Sequence, residues 1–364
     1  MIIFVFITLG ILVSIGYFAS LYIRLKPYNQ GALKIKTFDD TDSPYHPSVL
    51  YFRDSWNGYK YWMAETPFSP KSKPYEDRNE CPSIHVSNNG IEWTELIKNP
   101  IDDLTENEIE ELDYFSDPHL VFVNGCIECW YRFTHRKGIT NNYSNLQLVR
   151  KKSKDGINWS EREVLVNLAT NEGNSLGKMV VSQAVLYQDG KYRMWYVNSE
   201  SRTTRGLSYS ESMDGKVWEE YKTCTLNGVD NIPWHIDVNL INGIYYLTSY
   251  DLKDIAAFKS YDGINFEYIK KLLSPSVLGS FYSYRLYRAC IIKDNKYKLY
   301  FSAHDSLKTY IGLMEGEGVH DLEIRAIGKH QSIIGLLKFI YITKLRSIKF
   351  VTRRLYKHII SRNA

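Results

Sequence analysis

The segment Ser153–Trp159, SKDGINW, indicates the fold because its pattern recurs along the chain. Three further segments match the pattern Ser-x-(Asp/Asn)-Gly-x-x-(Trp/Phe): SNNGIEW at 87–93, SMDGKVW at 212–218 and SYDGINF at 260–266. An Asp-Gly or Asn-Gly pair favours a tight hairpin turn, since both residues tolerate positive φ. The aromatic residue that follows is expected to pack between neighbouring sheets.

A second repeat lies upstream of each turn. Short apolar strands begin with HPSVLYF at His46, SDPHLVFV at Ser116, SQAVLYQDG at Ser182, HIDVNLING at His235 and YRACIIKDN at Tyr287. Each is followed by a strand rich in Tyr or Trp, and the fifth unit has only a degenerate turn, MEGEG. Five small antiparallel sheets of this kind must pack around an axis to bury their faces. The sequence therefore predicts an all-β, five-bladed β-propeller over residues 44–322.

Charge is distributed unevenly along the chain. From residue 325 to the end there are ten Lys or Arg and no Asp or Glu. Removing these ten from the 45 basic residues of the chain leaves 35 against 41 acidic ones. A mildly acidic body argues against nucleic-acid binding.

The five cysteines indicate neither a disulfide framework nor a cofactor site. Their number is odd. Cys126 and Cys129 have the C-x-x-C spacing of redox and zinc sites. Strand alternation, however, would turn them to opposite faces, and no second pair completes a zinc site. We expect no metal and no cofactor.

The N-terminal residues predict a membrane anchor. Residues 1–23 contain no charged side chain, and about 20 apolar residues span a bilayer as a helix. We assign 1–25 to a transmembrane helix and 26–43 to a linker. A signal peptide is the alternative, although no basic residue precedes the apolar run. Arg24, Lys26, Lys34 and Lys36 follow the run, so the positive-inside bias predicts a single-pass protein with a cytoplasmic body. An extracytoplasmic body is the alternative.

The C-terminal segment 325–364 predicts a basic amphipathic helix. Between 332 and 360, apolar residues recur at three- and four-residue steps beside a stripe of Lys and Arg. Such a helix is typical of a membrane interface with anionic lipid. A helix packed on the propeller is the alternative.

The five repeats and their turns resemble the propeller glycosidases, especially glycoside hydrolase families 32, 43 and 130, over roughly residues 44–320. The turns also resemble the Asp-box of sialidases. The resemblance implies two carboxyl groups flanking a glycosidic bond. It points to Asp117, in SDPH, and to Glu80, whose Glu-Cys-Pro is similar to that of the family 32 general acid.

Other polar residues open the predicted inner strands. We include Asp237 among the catalytic candidates and expect His46, His235, Arg285 and Arg288 to bind substrate, together with Arg132, which follows the second strand of blade 2. Each has a structural alternative: Asp117 as a turn cap, Glu80 as a solvated loop carboxylate, and Asp237 with His235 as a buried pair.

The chain also departs from the families it resembles. The Glu-Cys-Pro precedes the Asp-Pro here, His46 stands where family 43 has its first Asp, and Ser182-Gln183 replaces a third-blade Glu. Two functions stay open. One is a membrane-anchored glycosidase acting on a polysaccharide or glycan intermediate. The other is a non-catalytic glycan-binding or polysaccharide-assembly factor.

Overall fold

The structure is a computed structural model that describes residues 14, 16–17, 31–68, 80–135, 146–168, 175–177, 179–199, 205–230, 233–275, 281–305 and 308–325. It confirms the predicted all-β five-bladed propeller, with five separate antiparallel sheets. No helix in the described part of the chain has the length and apolar composition that crossing a bilayer requires. The predicted terminal helices at 1–25 and 325–364 fall almost wholly outside the described residues.

Each blade runs outward from the central channel in chain order. Blade 1 contains β1 (Pro44–Trp56), β2 (Tyr59–Pro67), β3 (Ser83–Ser87) and β4 (Thr94–Glu95). A short helix, α1 (Glu106–Glu110), precedes blade 2. Blade 2 contains β5 (Tyr114–Val123), β6 (Cys126–Thr134), β7 (Leu146–Ser153) and β8 (Glu163–Asn167). Blade 3 contains β9 (Val181–Gln188), β10 (Lys191–Ser199), β11 (Arg205–Ser212) and β12 (Lys222–Thr223).

The last two blades follow the same plan with one addition. Blade 4 contains β14 (His235–Ile241), β15 (Ile244–Tyr250), β16 (Ile255–Ser260) and β17 (Asn265–Leu273). A fifth strand, β13 (Thr225–Asn227), pairs in parallel with β17 at its outer edge. Blade 5 contains β18 (Arg285–Lys293), β19 (Tyr297–His304), β20 (Thr309–Gly316) and β21 (Glu323–Ile324), with a 3-10 turn at Val319–Asp321.

Each repeated turn packs against an aromatic side chain of the preceding blade. In the turn at Ser153–Trp159, the Ser153 hydroxyl accepts a hydrogen bond from the backbone N–H of Gly156 at 2.8 Å. Gly156 has a φ of +76° and lies so close to Trp62 of blade 1 that a Cβ would be 2.1 Å from its ring. Gly215 and Gly263 lie against Trp130 and Trp195 of the preceding blades in the same way.

The same contact closes the ring. Gly90 of blade 1 lies against Tyr300 of blade 5, whose hydroxyl donates to the Gly90 carbonyl at 3.0 Å. Leu33 and Ile35, in the segment expected to be a linker, are buried between these two blades. The Leu33 N–H donates to the carbonyl of Ile311 at 2.9 Å, so this segment also ties blade 1 to blade 5.

The hydrophobic core is divided into five clusters, each between neighbouring blades. Its largest fully buried side chains include Trp62, Trp130 and Trp195, and Trp218 packs edge-on against Trp130 of the preceding blade. All five cysteines are free. Because the apolar side chains fill the spaces between blades, the inner strands are left to supply polar side chains to the channel.

Candidate active site

The site lies where the inner strands begin, at one mouth of the channel. Three of these strands carry a residue with a left-handed backbone: His46 at φ +51°, Asp117 at +54° and Ser182 at +51°. Strand pairing shifts register around each of these positions, as a β-bulge does. Bulges re-aim side chains, and strained backbone of this kind clusters at functional sites.

Three side chains from three blades meet in an upper layer of the channel. The Asp117 Oδ1 atom lies 3.4 Å from Nδ1 of His235 and 3.7 Å from Nε2 of His46. All three residues are buried. One ligand atom from each lies within 4.8 Å of the others, a spacing that suits a metal ion.

Neighbouring side chains and backbone groups contact Asp117 and His46 on the sides that face away from the other members of the upper layer. Arg132 Nε lies 2.8 Å from Asp117 Oδ2, and the Ser182 N–H donates to that same oxygen at 3.2 Å. Thr66 Oγ1 contacts His46 Nδ1 at 2.9 Å. The atoms that face one another, His46 Nε2, His235 Nδ1 and Asp117 Oδ1, have no hydrogen-bond partner among the described residues. None of these three atoms is therefore occupied by a hydrogen bond within the described part of the protein.

The protonation states suit a cation. Burial lowers the pKa of His46 to about 4 and that of His235 well below its ordinary value, which leaves both imidazoles neutral at pH 7. Burial alone would raise the pKa of Asp117, but the neighbouring positive groups, Arg132 foremost among them, together outweigh burial, lower the pKa and keep the carboxyl ionised. Two neutral imidazoles and one carboxylate form a ligand set that divalent transition metals accept.

A second layer lies deeper in the channel, two residues further along the inner strands. It contains Asp237, whose Oδ1 lies 3.4 Å from Nδ1 of His119 and 3.7 Å from Nη2 of Arg288. His119 Nε2 donates to the Val185 carbonyl at 3.0 Å, so its Nδ1 is free to accept from Arg288 Nη2 at 3.2 Å.

Arg288 spans the channel between blades. Its guanidinium also donates to the carbonyls of Pro118 at 3.1 Å and Gln183 at 2.9 Å, and its side chain is fully buried. Asp237, a predicted catalytic residue, and Arg288, expected to bind substrate, thus lie in a layer that packs beneath the upper one and supports it.

Glu80 lies at the mouth, close enough to Asp117 for the two charges to interact. It has a φ of +62°, and its N–H donates to the Pro67 carbonyl at 3.0 Å. Burial, and then repulsion from Asp117, raise the pKa of Glu80 to about 8, while Arg132 opposes the shift. The side chain is therefore a carboxyl that gains and loses a proton near neutral pH.

Aromatic side chains form one wall of the mouth. The Tyr287 ring lies 3.9 Å from that of His235 and 5.2 Å from that of His46. Its hydroxyl accepts from Trp234 Nε1 at 3.2 Å, and Tyr45 stacks on its other side at 5.0 Å. Arg285, also expected to bind substrate, is exposed at the start of β18. Such rings suit the apolar faces of sugars.

The sequence pattern indicated His46, Asp117 and His235 separately as candidate site residues, but it did not predict that they form one ligand set. They begin inner strands of three different blades, so no local spacing connects them. The usable signal was the polar residue at the first position of each inner strand, combined with the closure of the propeller.

Comparison with known proteins supports the fold. No protein-family model matches the chain. The A type blood N-acetyl-alpha-D-galactosamine deacetylase of Flavonifractor plautii is 24% identical over 315 residues, covering 68% of this chain. The chain spans 37% of the length of that relative.

Solved structures share the architecture. The crystal structure of an N-acetylgalactosamine deacetylase from F. plautii, in complex with blood group B trisaccharide, matches with a TM-score of 0.66 at 19% identity, over 79% of this chain and 94% of that one. A family 43 β-xylosidase/α-arabinofuranosidase from a compost microbial metagenome, in complex with xylotriose, matches at 0.55 and 13%, over 82% and 98%. The chain thus shares the propeller fold of these proteins.

Proposed function

We propose that this protein hydrolyses the N-acetyl group of an amino sugar in a glycan, with a divalent cation held by His46, Asp117 and His235. The observation that carries the proposal is the convergence of their three unpartnered ligand atoms at the channel mouth. The similarity to a protein named as an N-acetylgalactosamine deacetylase supports amide hydrolysis over other reactions.

The three ligands are prepared for a cation by their surroundings. Arg132 keeps Asp117 ionised while directing its other oxygen toward the two imidazoles. Thr66 fixes the ring of His46, and the buried layer of Asp237, His119 and Arg288 limits movement beneath the site. When bound, a divalent cation supplies Lewis acidity that polarises a carbonyl and makes water a better nucleophile.

Glu80 is the proposed proton carrier. In its ionised form it accepts a proton from the attacking water as the C–O bond forms at the acetyl carbon. It then donates that proton to the amide nitrogen as the C–N bond breaks, releasing acetate and the free amine. A pKa near neutrality suits both steps, because an efficient acid–base group has a pKa close to the working pH.

The second candidate function is that of a glycosidase that uses Glu80 and Asp117 as its carboxyl pair. Their electrostatic interaction and the fold favour it. The environment of Asp117 argues against it: one oxygen is engaged by Arg132 and Ser182, and the other faces two imidazoles instead of an open sugar site. A glycan-binding or assembly factor without catalysis is the remaining alternative.

Product analysis separates these functions. The full-length protein is stripped with a chelator and reloaded with Zn²⁺, Mn²⁺ or Mg²⁺, and N-acetylated oligosaccharides are assayed for free acetate and for new reducing ends. We expect acetate only, lost on chelation and restored by a cation. Asp117→Asn and His235→Ala should abolish release, and His320→Ala, an exposed histidine on blade 5, should not. New reducing ends without acetate would favour the glycosidase, and binding with neither product the non-catalytic factor.

We also propose that the protein acts at a membrane, with residues 1–25 as the anchor and 325–364 contacting anionic lipid. The support is the uncharged N-terminal run and the ten basic residues of the tail. A cytoplasmic body follows from the flanking positive charges. A reporter fused after Ala364 should behave as cytoplasmic, and labelling of the body from outside intact cells would contradict this orientation.

A further inference from the structure

A second polar feature lies beside the site, on the rim formed by blades 3 and 4. Arg205, at the start of β11, places its guanidinium over the indole of Trp234, 4.8 Å from the ring centroid. Trp234 lies edge-on to His235, with ring centroids 5.9 Å apart. One indole therefore separates Arg205 from the upper layer of the channel.

Within the described part of the chain, no carboxylate balances the charge of Arg205. Among the described residues no carboxylate forms an ion pair with this side chain, and its buried Nε atom makes no hydrogen bond. Burial lowers the pKa of Arg205, and no acidic group among the described residues opposes that shift. A guanidinium at the surface of a binding site with an unused N–H can form charge-assisted hydrogen bonds with an anionic ligand.

The two arginines inside the channel differ from it. Arg132 is engaged by Asp117, and Arg288 by Asp237 and two backbone carbonyls, so both hold the site together. Arg205 combines a free donor edge with an aromatic surface. A guanidinium stacked in this way keeps its N–H groups in a fixed plane, which suits a carboxylate or phosphate.

We propose that Arg205, stacked on Trp234, binds an anionic substituent of the glycan on a sugar next to the N-acetylated one. The substrate class is then an acidic N-acetylated glycan, bearing either a uronic-acid carboxylate or a phosphate. This proposal rests on the proposed function for the identity of the neighbouring group, whereas the anion subsite itself is tested by binding alone.

The experiment compares matched ligands on the full-length protein by calorimetry. Hyaluronan tetrasaccharide, with alternating uronic acid and N-acetylglucosamine, is set against neutral tetra-N-acetylchitotetraose. N-acetylglucosamine 6-phosphate is set against N-acetylglucosamine. Hydrogen bonds to charged groups contribute about 1.5–3 kcal/mol, so we expect tighter binding of one acidic ligand by roughly tenfold or more. The arm that shows the preference identifies the anion.

Substitution then assigns the preference to Arg205. Arg205→Gln should remove it, leaving affinity for the neutral ligand unchanged. Arg53→Gln, which deletes an exposed positive charge near the other end of the channel, should preserve it. Arg205→Lys should retain part of the preference because it keeps the charge but not the planar fork.

Three results overturn the subsite. The first is equal affinity for acidic and neutral ligands in both arms. The second is a preference for the acidic ligand that survives Arg205→Gln. The third is that Arg205→Gln weakens the binding of the acidic and the neutral ligand equally, as loss of Trp234 packing alone would do. Acetate release distinguishes the two proposals. Release without any acidic preference refutes the subsite only, and an Arg205-dependent preference without acetate release refutes the deacetylase only.

Discussion

Replacing Gly156 by alanine tests how the blades are joined. Gly156 has a φ of +76°, and a Cβ there would lie 2.1 and 2.2 Å from two ring carbons of Trp62. Carbon atoms in contact normally lie about 3.5–4.0 Å apart. Trp62 is fully buried between blades 1 and 2, so its ring has little room to move. The substitution therefore forces the second blade away from the first or strains the indole.

The expected cost has two parts. A non-glycine residue in left-handed backbone costs about 1–2 kcal/mol. Overpacking of a filled core adds about 1–3 kcal/mol. Gly190, in the β9–β10 turn, has a φ of +78° and nothing within 4 Å of its Cβ position. Gly190→Ala shares the backbone strain but not the clash, so the difference between the two variants isolates the contact with Trp62.

Urea unfolding followed by far-ultraviolet circular dichroism measures both costs. We expect Gly156→Ala to lose about 2–5 kcal/mol and Gly190→Ala about 1–2 kcal/mol. Adding Trp62→Phe to Gly156→Ala should cost less than the sum of the single changes, since the shorter ring relieves the clash. Equal destabilisation by the two alanines would refute the claim that packing on Trp62 requires this glycine.

Three further outcomes follow from the structure. Zn²⁺ at 100 times its dissociation constant should stabilise the folded protein by about 2.7 kcal/mol, measured as a rise in the thermal midpoint, whereas His235→Ala should show no rise. Glu80→Gln should flatten the dependence of stability on pH. The folded protein keeps the Glu80 proton up to about pH 8, whereas the unfolded chain releases it near pH 4.5. Wild-type stability therefore falls as the pH rises between these two values. If urea titrations of Glu80→Gln showed the same slope of stability against pH as wild type, the assignment would be contradicted. Trp195→Phe removes a 2.6 Å hydrogen bond from the indole to the Gly263 carbonyl and should cost at least about 1 kcal/mol in urea unfolding, while no loss would show that the bond is dispensable.

The repeats of the sequence determined the architecture because they are local. An Asp-Gly turn and an alternating strand are encoded within about ten residues, and five copies leave few ways to bury their faces. The starts of the inner strands were predictable for the same reason. Glu80 and Asp117 were identifiable from their Glu-Cys-Pro and Asp-Pro contexts, although their roles were not.

Only the tertiary structure decided which polar residues share the site. His46, Asp117 and His235 come from three blades and meet only when the ring closes. Bulges at His46 and Asp117 place these residues in left-handed backbone, against the preference of residues before proline, and so redirect their side chains. Asp237 and Arg288 separate into a lower layer because alternate residues of an inner strand face the channel at successive depths. Side-chain direction in the channel thus depends on register and closure, which are properties of the assembled sheets and not of any one segment.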